Sequence, residues 1–135
     1  MGSGGIALAA VWTAVLCASD LKRRRLPDGC TVPPALAGIV GCVAAPHCAW
    51  GLVWPALYLL LGRGFGGGDV KLAVSLGVAC AALAGPTGVL AAMGLSGLLT
   101  VASAALQRER VVAHGPAMLA AAWAVGLAGV AARGV

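Results

Sequence analysis

Long runs without Lys, Arg, Asp or Glu alternate along this chain with short basic connectors. Four such runs cover residues 1–19, 29–62, 72–106 and 111–132. A helix needs about 20 apolar residues to cross a bilayer, so the first and last runs hold one crossing each. The two middle runs, of 34 and 35 residues, are too long for one helix and suit two short ones each. Each has a breaker near its centre: Ala45-Pro46-His47-Cys48 in one, Gly85-Pro86-Thr87-Gly88 in the other. Proline disrupts a helix interior, and Pro-Gly clusters mark turns. The pattern predicts an all-α, polytopic membrane helix bundle of about six spans, near 4–19, 30–45, 49–63, 69–84, 87–106 and 112–132.

The basic residues test that count. With six spans, alternate connectors share a side, and Lys22, Arg23, Arg24, Arg25, Arg63, Lys71, Arg108 and Arg110 all fall on one face. Arg133 alone falls on the other. Short cytoplasmic loops carry the excess of Lys and Arg, so the charged connectors are expected in the cytoplasm and both termini outside. Cys48 is then expected near the external face. A four-span arrangement would put the 16–28 and 63–71 segments on opposite faces and lose the asymmetry.

Composition agrees. The 135 residues are 61% hydrophobic and 10% charged, with a mean hydropathy of +0.98. A soluble domain carries about 25% charge, so this chain could not cover a water-exposed surface. One integral-membrane domain over residues 1–135 is expected, with the lipid bilayer as its surroundings. The net charge of +5 does not indicate nucleic acid. The basic residues sit in connectors, and no aromatic-interleaved basic face exists to bind it. The spans are rich in Ala and Gly, which lets helix backbones approach closely.

Five cysteines, at 17, 30, 42, 48 and 80, contain no C-x-x-C pair and read as small buried hydrophobes. A Cys42–Cys48 disulfide has no support in the pattern. No close ligand spacing suggests a metal, so neither a metal nor another cofactor is expected.

Against this background the acids stand out, since there are only four. Asp20 closes the first run, in Asp20-Leu21-Lys22-Arg23-Arg24-Arg25-Leu26-Pro27-Asp28. Asp69 opens the third, in Gly66-Gly67-Gly68-Asp69-Val70-Lys71-Leu72. A carboxylate at a membrane boundary is costly to keep and is a functional candidate. Gly66, Gly67 and Gly68 remove side chains that would block a substrate backbone, and the helix dipole after them favours an ionised Asp69. Each acid also has a bland reading. Asp69 could be an ordinary N-cap, and Asp20 a helix-end carboxylate neutralised by the basic run. Pro27 breaks the chain ahead of the second span.

The two segments together say more. Six spans bring Asp20 and Asp69, 49 positions apart, to one membrane surface. Two carboxylates brought close cannot both ionise comfortably. One can then act as general base on a water while the other, protonated, polarises a peptide carbonyl. That is aspartic-protease chemistry. The chain offers no Ser/His/Asp arrangement as an alternative, and His47 and His114 are expected at opposite faces.

These residues resemble the type IV prepilin peptidases, membrane aspartic proteases of the G-x-G-D kind. The first family motif is similar to Asp20 through Asp28: an Asp, a short basic stretch, then Ile-Pro-Asn. The second, Gly-x-Gly-Asp-Val-Lys-Leu, is matched residue for residue by Gly66 to Leu72. A late Gly-Pro is similar to Gly115-Pro116. Asp28 stands where Asn is usual, Leu26 where Ile is usual, and His114 where an apolar or aromatic residue is usual. The resemblance implies Asp20 and Asp69 as the catalytic pair, with Gly66, Gly67, Gly68, Lys71 and Pro27 as substrate-positioning or supporting motif residues. It gives His114 no role. It implies a multi-pass protease of the bacterial inner membrane that removes the basic leader of prepilin or pseudopilin precursors on the cytoplasmic side.

Larger members carry an N-terminal segment with paired C-x-x-C motifs, associated with N-methylation of the product. This chain starts at its first span and lacks such a pair, so it resembles the short, protease-only members often found with Flp-type pili. Two other classes compete. A small proton-coupled transporter subunit would carry its acids near mid-membrane. A non-catalytic scaffold or assembly subunit of a pilus or secretion system would use Asp69 only to start a helix.

Overall fold

The computed structural model describes residues 2–61, 66–109 and 112–134. Among them there are helices and no strands: α1 (Ser3–Arg23), α2 (Asp28–Ala44), a 3-10 segment η1 (Pro46–Leu52), α3 (Val53–Leu61), α4 (Gly67–Gln107) and α5 (Gly115–Ala132). Arg63, Arg110 and the expected end of the third span at 63 lie outside the described residues.

Helix ends follow local chemistry. α1 runs four residues past its expected end at 19 because Lys22 and Arg23 are good helix formers and suit the negative end of the dipole. Arg24 ends it in the left-handed conformation, φ 50°, and Pro27 precludes continuation. α2 starts at Asp28, whose charge suits a helix N-terminus. Pro33 and Pro34 lie inside α2. Pro34 has no N–H for the Cys30 carbonyl four residues back. The Trp12 indole donates to that carbonyl instead, at 2.7 Å, and ties α1 to α2.

The third expected span, 49–63, departs from expectation. It begins as 3-10 helix and becomes α-helical only at Val53. Pro55 is the reason: its ring clashes with the carbonyl of residue 51, so α-helix cannot extend back past the first turn of α3. α2 and the η1–α3 stretch are short apolar helices, whereas α1, α4 and α5 are each long and apolar enough to cross a membrane.

α4, at 41 residues, would be about 60 Å long if straight, twice a bilayer core. It is not straight. Gly85 has φ 70° and ψ −169°, a conformation essentially reserved for glycine, and Pro86 follows. The chain reverses there. Asp69, near the start of α4, lines a cavity with Asp20; Thr100, in the second leg, meets His114 beside the same Asp20. α5 runs back along α4, and Arg133, just past its C-terminus, donates to the Ala82 carbonyl, 3.1 Å away, at the opposite end.

The core holds Leu16, Trp54, Leu72, Val89, Met118 and Leu119, all essentially inaccessible. Outward faces carry exposed Leu8, Val40, Val43, Leu60 and Leu106. Such a surface suits lipid, and this is the architecture of a multi-pass membrane protein. All five cysteines are free, and Cys48 is buried.

Candidate active site

Asp20 occupies the last turn of α1, where the negative end of the helix dipole disfavours a carboxylate. Another helix compensates. The Gly115 N–H, first in α5, donates to Asp20 Oδ2 at 2.8 Å across 95 positions of sequence. The carboxylate thus faces the positive end of α5. Asp20 is 6% exposed, one of few buried polar residues in the bundle.

Asp69 is the third residue of α4; its N-cap is Gly66, which makes no side-chain cap hydrogen bond. The simple N-cap reading of Asp69 is therefore corrected. An N-cap side chain serves the amides that follow it, whereas Asp69 accepts a hydrogen bond from the Gly66 backbone behind it. Its carboxylate is half-buried and close enough to Asp20 to feel its charge.

Both aspartates line one cavity of about 630 Å³. Pro27, Gly66, Gly67, Gly68 and Lys71 line it too, so all seven residues singled out in the sequence meet there. Their parts differ. A Cβ on Gly68 would lie 2.9 Å from the Leu26 Cβ, so that glycine lets α4 close on the first motif. Gly67 faces open space. Lys71 reaches Asp28 at 2.6 Å, tying the second motif to the first. Both partners are substantially exposed, and such a pair contributes about 0–1 kcal/mol.

Arg23, Arg24 and Arg25 complete the rim, and Arg24 lies 3.5 Å from Glu109 in the α4–α5 connector. The described connectors from α1 to α2 and from α4 to α5 therefore share the end of the bundle that holds both acids. His47, in η1, sits toward the other end, where neighbouring Trp50 packs near Pro86.

His114 was given no role by the sequence, yet it lies beside the site. It is the N-cap position of α5, and its ring meets the Tyr58 hydroxyl at 2.6 Å and the Thr100 hydroxyl. Burial pushes its pKa below the usual imidazole value, while the Asp20 charge acts in the opposite direction. The Gly115-Pro116 pair marked this segment in the sequence. Nothing local linked it to Tyr58 or Thr100, which meet it through helix packing. Among the described residues no group of three or more His, Cys, Asp or Glu side chains is placed to hold a metal ion.

No curated protein and no solved structure matches the chain. A family model described as the type IV leader peptidase family matches residues 7–102, which includes both aspartate motifs and well over half of the 135 residues. With both motifs gathered around one polar cavity in a helical membrane protein, the chain belongs to the type IV leader peptidase family.

Proposed function

We propose that this protein is an aspartic endopeptidase in which Asp20 and Asp69 act as one catalytic unit. Its substrate is the basic leader of a prepilin-like precursor of the type IV or Flp kind. The carrying observation is that two acids 49 positions apart line one cavity, where the Asp20 charge acts on Asp69. Neighbouring carboxylates favour a state with one shared proton. The ionised member takes a proton from a water, whose oxygen bonds to the scissile carbonyl carbon. The protonated member hydrogen-bonds the carbonyl oxygen as it gains charge. The C–N bond then breaks as the carboxyl group that took the proton from water passes it to the departing amine, which restores the starting state of the pair. This route needs no metal or cofactor.

We place the cavity on the cytoplasmic side of a bacterial inner membrane, with six crossings and both termini external. The reading is supported by the described basic connectors sharing the end that holds both acids, as cytoplasmic connectors do. The same clustering favours a surface-acting protease over a transporter with acids at mid-membrane. These 135 residues are expected to cleave without N-methylating the product, since they contain no C-x-x-C pair themselves.

Co-expression with candidate prepilins and mass spectrometry of the pilin N-terminus tests the proposal. Asp20→Asn and Asp69→Asn should each abolish cleavage while the protein still accumulates in the membrane. The double variant should be no worse than either single one, because residues acting as a unit are non-additive. Near-wild-type cleavage by either single variant would refute the dyad and favour a scaffold.

A further inference from the structure

The start of α5 is held from two sides by one imidazole. On one side, the Tyr58 hydroxyl of α3 lies 2.6 Å from His114 Nε2, with ring centroids 5.7 Å apart. On the other, Thr100 Oγ1 in the second leg of α4 meets His114 Nδ1. Thr100 has a single hydroxyl proton, and it donates that proton to the Ser96 carbonyl at 2.9 Å. Toward His114 the oxygen can therefore only accept, so Nδ1 carries a proton. In the neutral ring Nε2 is then bare and accepts the Tyr58 O–H. The lowered pKa of His114 agrees with a neutral ring.

The backbone carries this anchorage to the site. The His114 carbonyl accepts the Met118 N–H at 3.1 Å, which closes the first turn of α5. The next residue, Gly115, donates its N–H to Asp20. Any shift of the His114 ring relative to α3 and α4 moves that amide.

We propose that His114 is a positioning residue: clamped between Tyr58 and Thr100 as the Nδ1–H tautomer, it fixes the Gly115 amide and through it the Asp20 carboxylate. The proposal rests on the reading of Asp20 as catalytic. A displaced Asp20 works more slowly on a substrate that still binds normally. Loss of one such hydrogen bond should lower kcat about 5- to 10-fold with little change in KM.

The test uses the full chain in detergent or lipid discs, with cleavage of a prepilin leader as the assay. Tyr58→Phe removes one hydroxyl, and His114→Phe keeps a ring while removing both hydrogen bonds. Each should lower kcat with KM within about twofold, and the double variant should be no slower than the slower single one. Nitrogen NMR supplies a readout independent of activity. The chain has two histidines, and His47→Gln leaves His114 alone on a protein tagged without histidine. The expected spectrum shows a protonated Nδ1 and a bare Nε2, in the wild-type background and in Asp20→Asn alike. If Asp20→Asn cleaves normally, the catalytic reading fails and this proposal with it. If Asp20→Asn is dead but Tyr58→Phe and His114→Phe keep wild-type kcat, the positioning role alone is overturned. If His114→Phe fails to accumulate, Tyr58→Phe and the spectrum decide; an Nε2–H tautomer overturns the proposal.

Discussion

Gly115→Ala isolates the placement of Asp20 from the fold around it. A Cβ at Gly115 would lie 2.6 Å from Asp20 Oδ2 and 3.2 Å from its Cγ, where ordinary contact begins at 3.4 Å. The carboxylate retreats by about 0.8 Å to regain ordinary contact. It is the far end of a side chain, so it can swing without moving a helix. Gly115 is not among the positive-φ glycines, so alanine adds no backbone strain. The damage therefore falls on the site. A misplacement of about 1 Å costs on the order of 100-fold in rate. Loss of a hydrogen bond to a charged group, about 1.5–3 kcal/mol, gives a similar figure of about 10- to 150-fold. The expected result is a kcat lowered about 10- to 100-fold, with KM within a few-fold and normal membrane accumulation. The assay is leader cleavage by purified protein, followed by gel shift and mass. Gly94→Ala serves as a control, because a Cβ there meets nothing within 4 Å. Wild-type kcat in Gly115→Ala would show that the Gly115–Asp20 contact does not position the carboxylate.

Three further outcomes follow from the geometry. Gly85→Ala places a side chain at φ 70°, ψ −169°, and should destabilise the bundle by about 1–3 kcal/mol, read as a lower thermal midpoint in detergent; an unchanged midpoint would mean that the reversal does not need glycine. Asp28→Asn loses an exposed ion pair with Lys71 worth about 0–1 kcal/mol, so cleavage should stay within about twofold and the thermal midpoint should barely move; a large loss of kcat would place Asp28 in the chemistry. Topology is checked with an impermeant thiol reagent on intact cells in a background without the native cysteines. Buried Cys48 is a poor target, so His47→Cys, at an exposed position, should label while Lys22→Cys should not, and the reverse pattern would invert the orientation.

Much of the architecture is set locally, and so is legible in the sequence. Charge-free runs mark the apolar helices, of which α1, α4 and α5 are long enough to cross a membrane, because bilayer solvation acts on each segment regardless of its neighbours. Gly85-Pro86 declares a break, because a missing N–H and a permissive φ are properties of the residues themselves. Asp20 and Asp69 stand out because acids are rare in so apolar a chain. The 3-10 start of the third helix was within reach of the same reasoning, through the clash between Pro55 and residue 51, but the run of apolar residues masked it.

Only packing decided the rest. That Gly68 must be small follows from Leu26 on a different segment, and that Gly115 must be small follows from Asp20, 95 positions away. The union of Tyr58, Thr100 and His114 has no signature along the chain, since each comes from a different helical segment or its border. Hydrophobic pattern states which residues leave water, and it does so one segment at a time. It does not state which helix faces which, because lipid-exposed and helix-facing positions here are alike in polarity. That choice falls to steric fit between small residues and to a few directed hydrogen bonds, and these exist only once distant segments meet.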